Sequence, residues 1–136
     1  MRKTVLLAAA ALLTFTLALA HDRGGVAAAD TNGGSFETTV QSVPAAPIDL
    51  TVTEVTSTSV GIAWTDNSSD EDGFKIEWCT GANCTDFQLL ATMPAGVSSI
   101  VQWSLSKNRT YKYRVYAYNT AGDSGYSNTV TATTLR

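Results

Sequence analysis

Four carboxylates crowd one short stretch of this chain, Asp66, Asp70, Glu71 and Asp72, and they are its densest collection of reactive groups. Two neighbouring carboxyls can divide acid and base roles, and several together can gather calcium through oxygen. Asp70-Glu71-Asp72-Gly73 begins like a calcium loop, yet the later ligands and the closing Glu are missing. The stretch therefore reads as a solvated loop. Nucleophilic catalysis needs a base beside the nucleophile. The single histidine, His21, lies in an aperiodic N-terminal segment, so no Ser-His-Asp or Cys-His arrangement can be drawn. No Gly-rich phosphate loop leads from a strand into a helix. The expectation is a non-catalytic chain with no metal and no cofactor; an enzyme using the loop carboxylates is the weakest reading.

Two cysteines remain, Cys79 and Cys84, separated by Thr-Gly-Ala-Asn. Zinc wants four ligands, and only these thiols and the distant His21 are on offer. Flanked by strand-like sequence, the pair would face each other across a tight hairpin, and a disulfide is the expected state in an oxidising compartment. Closing so short a loop removes little unfolded-state entropy.

The compartment is suggested by the N-terminus. Arg2 and Lys3 precede an apolar run, Val5 to Leu19, broken only by Thr14 and Thr16, and Ala18-Leu19-Ala20 supplies a small-x-small cleavage pattern. The run falls short of a comfortable membrane span of about 20 residues. Residues 1–20 are read as a signal peptide and the product as secreted, extracellular and free of the membrane; an uncleaved anchor is the rival. The formal charge of −3 would become two units more negative once Arg2 and Lys3 are removed. Acidic chains are repelled by nucleic acid and anionic lipid, so nucleic-acid binding is not expected. His21 to Val43 is mostly Ala, Gly, Thr and Ser without sustained period, and is read as a flexible leader.

From Pro44 onward the pattern changes to period two. Leu50 and Val52 point inward from a strand over Ile48 to Val55, and Val60, Ile62 and Trp64 do so from Ser59 to Thr65. Phe74, Ile76 and Trp78 alternate with outward Lys75 and Glu77 over Phe74 to Cys79. Shorter strands are expected at Asp86 to Thr92 and Ser99 to Ser104. Next comes the strongest alternation, with Tyr111, Tyr113, Val115 and Ala117 on one side and Lys112, Arg114, Tyr116 and Tyr118 on the other. A Gly-, Asp- and Ser-rich turn over Asn119 to Gly125 returns the chain into a last strand. Seven short strands divided by turns describe an all-β, immunoglobulin-like two-sheet sandwich.

The run Tyr111-x-Tyr113-x-Val115-x-Ala117-x-Asn119 resembles the end of a fibronectin type III domain, of the kind found in secreted bacterial proteins. Trp64, Gly73-Phe74-Lys75-Ile76 and Leu105 six positions before Tyr111 extend the resemblance over Pro44 to Thr134, and the domain is placed at 44–136. It implies structural roles for Trp64, Leu105 and Tyr111, the last with its hydroxyl bonded to backbone a few residues upstream. Trp103 departs from the family pattern. Such modules often accompany secreted carbohydrate-active enzymes as spacers or auxiliary binders, which implies a role in binding an extracellular protein or polysaccharide. A structural spacer is the alternative. Ala121-Gly122-Asp123 stands where some members present Arg-Gly-Asp, but without the Arg it does not imply integrin binding. The candidate binding residues are Arg114, Tyr116, Tyr118, Lys75 and Trp103, because exposed Tyr with Arg gives contact area and hydrogen bonds together.

Overall fold

The computed structural model describes residues 26–29, 35–38 and 40–136. The expected signal peptide and His21 lie outside the described residues. The chain divides into two compact units, Met1–Val40 and Gln41–Arg136. In the first unit, β1 (Val26–Ala29) and β2 (Ser35–Thr38) pair antiparallel, with Val26 opposite Thr38 and Ala29 opposite Ser35. The leader was expected to hold no regular element. Its composition hides these strands, although Asn32-Gly33 between them is a sequence cue for a tight hairpin.

The second unit is a sandwich of two antiparallel sheets. One sheet has the order β3 (Ile48–Val55), β4 (Val60–Thr65), β7 (Ser99–Gln102). The other runs β10 (Val130–Thr133), β8 (Thr110–Asn119), β5 (Gly73–Thr80), β6 (Gln88–Pro94), with the two-residue β9 (Gly122–Asp123) also on β8. The expected all-β sandwich is thus the observed fold. No helix among the described residues is long and apolar enough to cross a membrane.

Alternation decides which side chains meet between the sheets. Leu50, Val60, Ile62 and Trp64 are buried from one sheet, and Phe74, Ile76, Tyr111, Tyr113, Val115 and Ala117 from the other. Trp64 meets Phe74 edge-on with ring centroids 5.6 Å apart, a geometry worth about 0.5–1.5 kcal/mol beyond area burial. Buried tyrosines need partners for their hydroxyls, and both find them. Tyr113 donates to Gln102 Oε1 at 2.8 Å, joining β8 to β7 across the sandwich. The Tyr111 hydroxyl accepts the Ser106 N–H at 2.9 Å and holds down the chain that approaches β8.

Where the ladders stop, asparagine side chains continue them. Asn128 accepts the Leu50 N–H and donates to the Leu50 carbonyl, each at 2.9 Å, in the manner of a paired strand residue. It meets β3 just after Asp49, whose φ of 54° breaks that strand's regular path. At one pole Asn119, nearly fully buried, donates to the carbonyls of Ser42 (2.8 Å) and Asp70 (3.1 Å). Its Oδ1 accepts the N–H groups of Ala121 (2.8 Å) and Gly122 (3.3 Å). One amide thereby ties together the entry segment, the acidic loop and the turn after β8. Gln41 adds a bond to the Asp70 carbonyl and another from the Thr120 hydroxyl, so the folded unit starts at Gln41, three residues before the expected boundary.

Losing that amide takes away the partner of two backbone N–H groups and of the Ser42 carbonyl, while the Asp70 carbonyl keeps Gln41, at about 1–3 kcal/mol for each group that water cannot reach. Asn119→Ala is expected to lower stability by about 2–3 kcal/mol, while Thr120→Ala, on the exposed side of the same turn, stays within about 0.5 kcal/mol of wild type. Urea unfolding of the two variants side by side checks this difference.

Candidate functional site

The outward residues of β5 and β8 are brought into register by the ladder between these strands. Glu77 lies opposite Arg114, Lys75 opposite Tyr116, and Gly73 opposite Tyr118. Gly73 has no room for a side chain, since a Cβ there would overlap the Met93 carbonyl and press within 3.1 Å of the Tyr118 hydroxyl. The Tyr118 ring is thus free to lean over the strand toward Lys75.

Arg114 and Lys75 each have both a carboxylate and aromatic neighbours on this face. Arg114 Nε donates to Glu77 Oε2 at 2.7 Å, and its Nη2 approaches the same oxygen at 2.6 Å. The guanidinium lies between two rings, 4.1 Å from the Phe87 centroid and 3.7 Å from that of Tyr126. Tyr126 in turn meets Tyr116 edge-on at 5.2 Å. The Lys75 ammonium pairs with Asp123 at 3.0 Å and stands over Tyr116 (5.3 Å) and Tyr118 (4.9 Å). The result is one row, Phe87, Arg114, Tyr126, Tyr116, Lys75, Tyr118, in which ring and cation contacts follow one another across the sheet. Lys112 stands at its disulfide end, donating to the Cys84 carbonyl at 3.2 Å, with Phe87 5.8 Å away.

Chain outside the long strands supplies three members of this arrangement, Phe87, Asp123 and Tyr126, and two serines hold the stretch that carries Tyr126. Between β9 and β10 the strand leaves the ladder, yet Ser124 gives its N–H to the Ala117 carbonyl (2.8 Å) and takes the Ala117 N–H on its hydroxyl (2.9 Å). Ser127 does the same to Val115, at 2.8 and 3.0 Å. Each hydroxyl stands in for a strand carbonyl. Tyr126 sits between these two clasps and is delivered onto Arg114. Asp123 arrives through β9, and Phe87 through the segment leading into β6. Alternation carries no signal for any of the three, because none lies within a regular strand long enough to show parity.

Of the residues expected to bind, Arg114, Tyr116, Tyr118 and Lys75 share this face. Trp103 does not: it follows β7 in the opposite sheet and is 68% exposed, so it covers no end of the core. Cys79 and Cys84 are joined in a disulfide at the β5–β6 turn, where Gly81 takes a φ of 107°. Two of the four loop carboxylates are turned to local use. Asp66 Oδ1 accepts the Ser68 N–H at 3.0 Å, and Asp70 Oδ1 accepts the Ser68 hydroxyl at 2.7 Å. Among the described residues, the one group of three potential metal ligands lying close together is Cys79, Cys84 and Asp86, and its two sulfurs are bonded to each other.

Protonation follows the same contacts. The hydrogen bond to Asp123 holds the Lys75 ammonium above its usual range, and burial pushes the Tyr116 phenol up. Burial also raises Tyr113 in the core.

The sequence pattern of the fibronectin type III domain matches residues 45–133. This chain belongs to that family. Among solved structures, one described as a myokine structure is 23% identical, with 68% of this chain aligned to 99% of that one at a TM-score of 0.59. A crystal structure of domains from titin is 23% identical over 82% of this chain and 40% of its own, with a TM-score of 0.61. The FN1–FN3 domains of chicken CNTN1 are 21% identical over 82% and 41%, with a TM-score of 0.62. These similarities define the fold. No curated protein matches the chain.

Two measurements probe the face. The Arg114–Glu77 side chains are 26% and 14% exposed, against 28% and 51% for Lys75–Asp123. A double-mutant cycle is expected to give a coupling of about 1–2 kcal/mol for the first pair and a few tenths for the second, because water screens the more open pair. Raised folded-state pKa values for Lys75, Tyr116 and Tyr113 contribute stability that is complete below their ordinary values, 10.5 for Lys and 10.0 for Tyr, and lost as pH rises through the folded values. Stability should hold to about pH 10 and fall above it, and phenolate absorbance should show a late-titrating component reduced in Tyr113→Phe and Tyr116→Phe.

Proposed function

We propose that this chain is an exported, non-catalytic module that binds a protein or polysaccharide outside the cell through the outer face of its five-stranded sheet. The observation that carries this reading is the row from Phe87 to Tyr118, in which aromatic rings from separate parts of the chain are locked side by side. Rings held in place before binding lose little freedom on contact, which is how a small flat surface gains affinity. Export rests on the N-terminal signal pattern, and the disulfide is compatible with an oxidising compartment. Neither the fold nor its relatives dictate a ligand, since one fold serves many unrelated partners.

A spacer role without a dedicated ligand is the second reading, and one observation favours it. Arg114 and Lys75 are already satisfied within the face, as the cations of a merely solvated sheet would be. Catalysis by the loop carboxylates is the third and least supported reading, with Asp66 and Asp70 occupied by Ser68.

The purified chain, offered insoluble polysaccharides and proteins from the medium of its source cells, should be retained saturably by at least one of them. Tyr116→Ala combined with Tyr118→Ala should weaken that retention by about tenfold or more, a loss of about 1.4 kcal/mol, with Tm moved by only a few degrees. A folded chain that retains nothing favours the spacer.

A further inference from the structure

The charges and hydroxyls of the sheet face together narrow the class of ligand. Arg114 is neutralised by Glu77 and Lys75 by Asp123, and Lys112 spends its ammonium on the Cys84 carbonyl. A charged partner would have to displace an existing carboxylate, or offer its charge to a face whose own charges nearly cancel. Ion pairing therefore contributes little to recognition here.

What the face leaves open is of another kind. The two core tyrosines have their hydroxyls bonded, Tyr111 to Ser106 and Tyr113 to Gln102. On the face, the hydroxyls of Tyr116, Tyr118 and Tyr126 take no hydrogen bond from any described residue. Tyr126 is 49% exposed, with one side occupied by the Arg114 guanidinium. A guanidinium or ammonium against one side of a ring steadies that ring. The three rings lie along one sheet surface, and none of their hydroxyls is bonded to a described residue.

Fixed rings, hydroxyls left unbonded by the described residues, and cations of which two are paired with carboxylates form a surface for a neutral, hydroxyl-rich and partly apolar molecule. A sugar ring has that character, with C–H groups on its faces to pack against aromatics and hydroxyls at its rim to exchange hydrogen bonds with phenols. We infer that the ligand of this face is an uncharged polysaccharide. It is held by stacking and hydroxyl contacts on Tyr116, Tyr118 and Tyr126, while Lys75 and Arg114 serve to position the rings. This assignment rests on the reading of the face as a binding surface given above.

Retention on regenerated cellulose and on chitin, as neutral probes, is to be compared with retention on polygalacturonate, a charged one, between about 0.05 and about 1 M salt. Source-cell secreted proteins form a further arm. The expected result is saturable binding to a neutral probe that changes less than about twofold across this salt range, since screening acts on charge and not on stacking. Tyr126→Ala should weaken it by about tenfold or more and Tyr126→Phe by a smaller factor, with both variants folded by circular dichroism. Binding confined to polygalacturonate or to a protein, abolished by salt and sensitive to Tyr126→Ala, overturns the neutral-glycan assignment and leaves the face as a binding surface. No retention in any arm by the folded chain, or retention indifferent to Tyr126→Ala, overturns both.

Discussion

The register of β8 against β5 is the constraint on which the rest of this molecule depends. Side chains alternate along a strand, so burying Tyr111, Tyr113, Val115 and Ala117 forces Lys112, Arg114, Tyr116 and Tyr118 to the other side. A slip by one residue would exchange the two sets and put charged groups into the core, which makes the register nearly inviolable. The same ladder then places Arg114 opposite Glu77 and Tyr116 opposite Lys75. Core and candidate site are thus two faces of one pairing, and the packing that stabilises the first orders the second.

Polar side chains extend this order where the backbone ladder gives out. Ser124 and Ser127 substitute hydroxyls for strand carbonyls, Asn128 pairs both backbone groups of Leu50, and Asn119 gathers three segments at one pole. Buried backbone groups must find partners, and these residues supply them without regular structure. Tyr126 and Asp123 reach the sheet face on chain held in this way. The disulfide closes the neighbouring β5–β6 turn, and Phe87 follows it onto Arg114.

The face gains rigidity at the cost of electrostatic reach. Arg114 and Lys75 are screened by their own carboxylates, so they exert little pull on charged partners at a distance. In the acidic loop, by contrast, Asp66 and Asp70 are taken up by Ser68 in turns, as happens commonly in loops with Asp and Ser.

Much of the fold was legible from alternation alone, because a half-buried strand writes its two faces into the sequence as parity. The strand over Ile48–Val55 is found with the bounds its pattern indicates, and the inward residues of β4, β5 and β8 follow theirs. The short spacing of Cys79 and Cys84 between two strands likewise sufficed to indicate their bond. Parity also put Lys75, Arg114, Tyr116 and Tyr118 on outward positions. It could not say that Phe87, Tyr126 and Asp123 would join them, that Trp103 would stand exposed beyond the opposite sheet, or that β1 and β2 would pair within the leader. The places of Tyr126 and Asp123 depend on the path of the chain after β8, which is set by β9 and by the bonds of Ser124 and Ser127 to β8 rather than by alternation. Local pattern reports which side of a strand a residue occupies; only the closed sandwich decides which distant side chain meets it there.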